Sequence, residues 1–254
     1  EGRAWQLLAP LDDAPDHRVV LLRAQLGMQV GASDEAGELA RAAGLRAAAG
    51  HDRVLHAESL HVRALTARQR GDLAGSLRAV TEAIGILRAL PRTPDVRARA
   101  WQYRLTRAIT LSASAFTPTR HRAFLLLGEV PEHWAAATLA FRKLAREAED
   151  AGHARDAAHA ALRLAAHELG RWEVRDEGHA SVARALAGRA DLPPAAQVIL
   201  DRVLASDALL RTGDPAARAR LAAIRAKDEA RGYRHQVKTI DDTVALARAA
   251  RARR

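Results

Sequence analysis

Residues 54–90 read VLHAESLHVRALTARQRGDLAGSLRAVTEAIGILRAL. The run to residue 70 has helical spacing, Gly71-Asp72 makes a tight turn, and residues 73–90 form the partner helix of a hairpin. The same punctuation recurs along the chain. Ala-rich, helix-like runs end in glycine followed by histidine or tyrosine at Ala49-Gly50-His51, Ala151-Gly152-His153 and Arg231-Gly232-Tyr233. Further turns fall between them at Gly31-Ala32-Ser33-Asp34, Gly170-Arg171-Trp172 and Gly213-Asp214-Pro215. This spacing predicts stacked helical hairpins, an architecture that works through an extended surface rather than a buried catalytic pocket.

Working outward, Gly31 precedes Gly71 by 40 residues, and at that offset Arg23-Ala24 falls on Arg63-Ala64, Gln29 on Gln69, Ala36 on Ser76 and Ala43 on Ala83. Small residues recur where one helix must approach another. Upstream, residues 17–30 carry Val20, Leu21, Ala24 and Met28 at helical spacing, and Ser33 or Asp34 is expected to cap a helix reaching about Ala49. Downstream, Thr93 caps and Pro94 opens a helix to about Ser114. The segment 116–131, FTPTRHRAFLLLGEVP, is too apolar for a solvated loop and too broken for one long helix. We expect an irregular insertion there, with a short helix around 119–127. More helices are expected at 132–151, 154–169, 174–187 and 195–211. Another runs from Pro215 to about Arg231 under an Asp214 cap, and a last one covers 234–252. No stretch reads as a strand or as a linker between domains.

Composition agrees with an all-α chain. Alanine, leucine and arginine are good helix formers, and aromatic residues make up only 4%. The net charge of +10 invites a nucleic-acid reading, but the charge is interspersed rather than blocked. Lys143, Lys227 and Lys238 are the only lysines among 40 basic residues, a bias that reflects coding preference as much as phosphate binding. The concentrated cluster Arg248, Arg251, Arg253 and Arg254 sits where it complements a helix dipole. With no cysteine there is no disulfide or thiolate chemistry. No apolar run approaches the roughly 20 residues of a membrane span. The chain opens Glu1-Gly2-Arg3 without methionine and without a signal-like segment, which reads as a fragment of a longer protein or a processed form; a cytoplasmic location is expected.

Gly71-Asp72-Leu73 followed by Ser76, Val80 and Ala83, with Ala64 in the first helix, resembles the tetratricopeptide (TPR) repeat. Gly31, Ala36, Ala40 and Ala43 with Ala24 repeat the scheme, and Gly213-Asp214 repeats the turn. The spacing is 40 rather than 34, and most copies lack the closing proline. The longer spacing and the Gly-His phrase resemble the superhelices of MalT-like and actinobacterial regulatory ATPases. The resemblance implies a single domain over residues 1–254: a right-handed superhelix (α-solenoid) of about five antiparallel helical hairpins plus a C-terminal capping helix. It also implies a groove lined by the first helix of each hairpin. Carried over residue by residue, the groove presents Arg18, Leu21, Gln25, Met28 and Gln29, then Glu58, His61, Leu65, Arg68 and Gln69. Arg120 and Arg122, at the charged edge of the insertion, join them as candidate contacts.

Other chemistry is thin. His56 and His61 are five apart and do not share a helix face, and Ala166-His167-Glu168-Leu169-Gly170 begins like HExxH without its second histidine. The histidines therefore read as packing or surface groups rather than metal ligands. His159 and His167 are roughly cofacial but two turns apart. The carboxylate groups Asp12-Asp13, Glu147/Glu149/Asp150 and Asp241-Asp242 suit ion pairing. Ser112 and Ser114 lie near His121 without a nucleophile elbow. Trp101 and Tyr103, two apart, cannot both face the core. There is no glycine-rich phosphate loop and no helix-turn-helix. The expectation is a non-enzymatic sensing or interaction module with no cofactor and no metal. Its partner would be a protein, a peptide or a small effector; the alternative is a basic groove for nucleic acid.

Overall fold

A computed structural model of the chain describes residues 16–115, 132–169, 175–230 and 233–251. Among these are eleven α-helices and no strand. They are α1 (His17–Gln29), α2 (Ser33–Ala49), α3 (Arg53–Arg70), α4 (Leu73–Arg88), α5 (Pro94–Ala115), α6 (Glu132–Asp150), α7 (Ala154–Glu168), α8 (Arg175–Ala187), α9 (Pro194–Thr212), α10 (Pro215–Ala230) and α11 (Arg234–Arg251). Every helix expected from the described sequence is present within two residues of its expected ends. The expected insertion at 116–131, with Arg120 and Arg122, and the Gly170-Arg171-Trp172 turn lie outside the described residues. The described chain falls into two compact units, residues 16–110 with 233–235, and residues 111–230 with 236–251.

In the first unit α2 packs on α1 and on α3, and α4 packs on α3. The alanines and the serine picked out by the 40-residue offset explain how. Ala24, Ala64, Ala36, Ser76, Ala43 and Ala83 are all 0% exposed. A side chain no larger than a methyl or hydroxymethyl lets two backbones close to near-minimal separation. Gly44 marks the closest approach: a Cβ there would meet Ser59 Oγ at 2.4 Å. Around these contacts lie two small cores. One holds Val20, Leu21, Ala24, Ala40, Ala43 and Val62; the other joins Leu60, Ala64, Val80, Ala83 and Leu87 to Val96 and Tyr103 of α5. Of the two aromatics on α5, Tyr103 is the core residue and Trp101 is half-buried.

Local chemistry sets the helix ends. Asp16, Asp52, Asp72, Thr93 and Asp214 each cap a following backbone N–H through a side-chain oxygen. Gly71 (φ 90°) and Gly213 (φ 69°) end α3 and α9 in the left-handed conformation. The cap of α2 departs from expectation. Its N-cap is Ala32, without a side-chain bond, because Ser33 is already helical and its hydroxyl donates to Gln69 Oε1 at 2.6 Å. The two Gly-His phrases also differ. At Ala151-Gly152-His153 the glycine takes the left-handed turn (φ 72°), whereas at Ala49-Gly50-His51 it is His51 that does so (φ 59°) and Asp52 caps the next helix.

In the second unit α7 packs on both α6 and α8, and α9 on α10. Its core runs through Leu162, Leu169, Val182, Leu192, Leu200, Leu209, Leu221 and Ile240. Among the described residues no helix is long and apolar enough to cross a membrane.

Candidate functional site

The first helices of the first unit, α1, α3 and α5, are joined by a chain of polar side chains. Gln25 donates to Glu58 Oε1 at 2.8 Å, Glu58 Oε2 accepts Arg99 Nη1 at 2.5 Å, and Arg99 Nε donates to Asp95 at 2.9 Å. Burial opposes the charge on Arg99, but Asp95 and Glu58 outweigh it and raise its pKa. At the start of this face Arg18 is 72% exposed and lies 3.6 Å from Asp52, whose pKa is lowered first by the Leu55 N–H and then by Arg18.

The ten expected groove residues fare differently. Leu21 is buried in the α1–α2 core. His61 is buried too: its ring stacks on Tyr103 with centroids 4.1 Å apart, and its Nε2 shares a hydrogen with Thr106 Oγ1 at 2.9 Å. Burial, with Arg68 and Arg99 nearby, lowers its pKa to about 3, so the ring is neutral. Gln25 and Glu58 tie α1 to α3, and Gln69 ties α3 to Ser33 of α2. Met28 and Leu65 are half-buried. Gln29 is exposed, and its carbonyl accepts the Tyr233 hydroxyl at 3.2 Å.

Arg68 stands apart. It is half-buried on the last turn of α3, on the face that carries Glu58, His61 and Leu65. Its Nη1 is out of contact with solvent and has no hydrogen-bond partner among the described residues. Burial alone lowers its pKa, to about 10, with no carboxylate acting against it.

A cleft of about 340 Å³ lies on the other side of α3, between α2 and α4. α3 contributes Thr66 and, offset by two positions from the face of Glu58, His61, Leu65 and Arg68, Leu60, Arg63, Ala67 and Arg70, which at 3.6 residues per turn is the opposite side. The repeat offset explains the opening. In the first hairpin the buried Arg23 binds Glu35 at 2.8 Å. The counterparts 40 residues on are Arg63 and Gly75. Without that carboxylate Arg63 stays exposed and lines the cleft. Arg41, Arg63, Arg70 and Arg78 face Glu38, Asp72 and Glu82 in the lining, with Arg41 bound to Glu38 at 2.9 Å and Asp72 occupied in capping α4. Nothing in the sequence alone marked this cleft.

The second unit buries its polar groups in pairs. Glu168, 2% exposed, accepts Arg142 Nη2 at 3.0 Å and the Ser181 hydroxyl, and Asp207 joins His179 to Arg211. Ser112 and Ser114, read against His121, pair instead with His167 and His133, each at 2.8 Å; His121 lies outside the described residues. The other nitrogen of His167 meets the Thr138 hydroxyl at 2.9 Å. His159 is pushed down to about 4 by burial and by Arg163 and Arg155. No protein-family model matches the chain, and no curated protein matches it in sequence.

Proposed function

We propose that the chain is a TPR-like superhelical module that binds a peptide, protein or small effector through the face of α1, α3 and α5, as part of a larger bacterial signal-transducing regulator. It acts without catalysis and in the cytoplasm. One observation carries the reading: the polar chain Gln25–Glu58–Arg99 links the first helices of successive hairpins side by side. Three helices linked in this way give a strip with pre-oriented donors and acceptors. Arg18, Met28, Gln29, Leu65 and Arg68 flank that chain, a mixture that suits an extended segment.

Selection of a random peptide library on the protein tests this. Peptides so obtained should lose at least tenfold in affinity to the pair Arg18→Glu and Gln29→Ala. They should be indifferent to Arg78→Ala in the cleft between α2 and α4. Equal binding to all three proteins would refute the proposal.

A further inference from the structure

Resting on that reading, we infer that the α1–α3–α5 face takes an acidic segment, and that Arg68 is the residue that receives its carboxylate. Three observations converge. First, among the described residues the Arg68 side chain makes no hydrogen bond or ion pair, and its Nη1 is sealed from water. A guanidinium nitrogen removed from water without a hydrogen-bond partner is a cost to the fold, and the half-buried remainder of the group is open to an arriving carboxylate. Its place on the last turn of α3 offsets part of this through the helix dipole, but such a term is small. Second, among the described residues no carboxylate acts on Arg68. His61 is neutral and Arg99 is already held by Glu58 and Asp95.

Third, the repeat itself shows what packing requires there. The residue 40 positions earlier, in the first hairpin, is Met28, half-buried like Arg68. Methionine therefore fills that station of the first helix adequately. The arginine in the second hairpin is an added charge with no internal use. Arg23, by contrast, is a buried arginine with Glu35 supplied by the chain, and the contrast identifies what Arg68 lacks. A planar guanidinium presents paired N–H groups that match a carboxylate. An acidic side chain arriving along the strip would supply the missing counter-charge. The strip is several helices wide, which favours a segment of chain over an isolated ion.

The test compares the wild-type chain with Arg68→Met, whose new side chain is the one the first hairpin already uses. The probes are an acetylated, amidated Glu-rich hexapeptide, its Gln counterpart and inorganic phosphate, all at fixed ionic strength. Without any probe, the variant should melt within about 2 °C of the wild type or above it. The Glu peptide should bind the wild type and lose at least tenfold in affinity to the variant, and the Gln peptide should bind neither well. Three results overturn the inference. The variant melts more than about 4 °C lower, meaning that Arg68 is satisfied inside the fold. The Glu peptide fails to bind the wild type or binds both proteins alike. Phosphate alone stabilises the wild type as strongly as the peptide does. If library-selected peptides depend on Arg18 and Gln29 but ignore Arg68→Met and acidity, the binding function stands and this inference falls by itself.

Discussion

Each unit of this protein buries a histidine flat on an aromatic ring and ties it to a threonine one helical turn from that ring. In the first unit the ring is Tyr103 and the hydroxyl Thr106; in the second they are Trp134 and Thr138. The difference lies in the second ring nitrogen and the nearby charges. His167 also meets Ser112 through Nδ1 at 2.8 Å, so both nitrogens have hydroxyl partners, and Phe141 tilts against the ring. His61 has Arg68 and Arg99 as its charged neighbours. A neutral imidazole is a good tie between helices because it fills aromatic volume and satisfies a buried hydroxyl at once. The first unit uses this tie beside Arg68, whose side chain has no partner among the described residues; the second gives the ring a hydroxyl partner at each nitrogen.

The comparison is most severely tested by truncation. His167→Ala removes a stacked ring and leaves the Ser112 and Thr138 hydroxyls without it, so it should cost roughly 3–5 kcal/mol in denaturant unfolding. His61→Ala strands one hydroxyl and should cost less, about 2–4 kcal/mol. The reverse order would mean that the second hydroxyl contributes nothing. Both effects should exceed that of Ala83→Leu, which overpacks a fully buried contact of the second hairpin by roughly 1–3 kcal/mol.

Acid sharpens the comparison. A histidine whose pKa is about 3 in the fold and near 6.5 when unfolded leaves the unfolded chain binding more protons between those values. Stability should therefore be intact above about pH 6.5 and decline as pH falls toward 3. His61→Gln keeps a hydrogen-bonding group beside Thr106 and removes the titration. Its melting temperature should fall less steeply from pH 6.5 to 4 than that of the wild type, and parallel curves would contradict the buried neutral ring.

The smallest effect comes from the two Gly-His phrases, one in each unit. His51 occupies a left-handed position that costs a side-chain residue about 1 kcal/mol, while Gly152 occupies the same conformation freely. His51→Gly should gain up to about 1 kcal/mol and Gly152→Ala should lose about as much, both read from thermal unfolding. Equal signs for the two would mean that the turns are not equivalent.

Helix limits were legible in the chain because capping chemistry is local. Gly71, Thr93-Pro94 and Gly213-Asp214-Pro215 stop and start helices with atoms no more than four residues away. The buried small positions were legible too, since Ala24/Ala64 and Ala43/Ala83 recur at the period of the hairpin. The Ser33 cap was misjudged because Gln69, 36 residues away, holds that hydroxyl. The groove residues were legible only as a helix face. Tertiary structure decided that Leu21 and His61 turn inward, that Gln25 and Glu58 join helices, and that Arg68 meets no carboxylate among the described residues. It also decided the opposite fates of Arg23 and Arg63, equal in sequence register but facing Glu35 and Gly75. The physical reason is one of range: a cap or a turn is satisfied by its own neighbours, whereas the partner of a buried charge arrives from another helix.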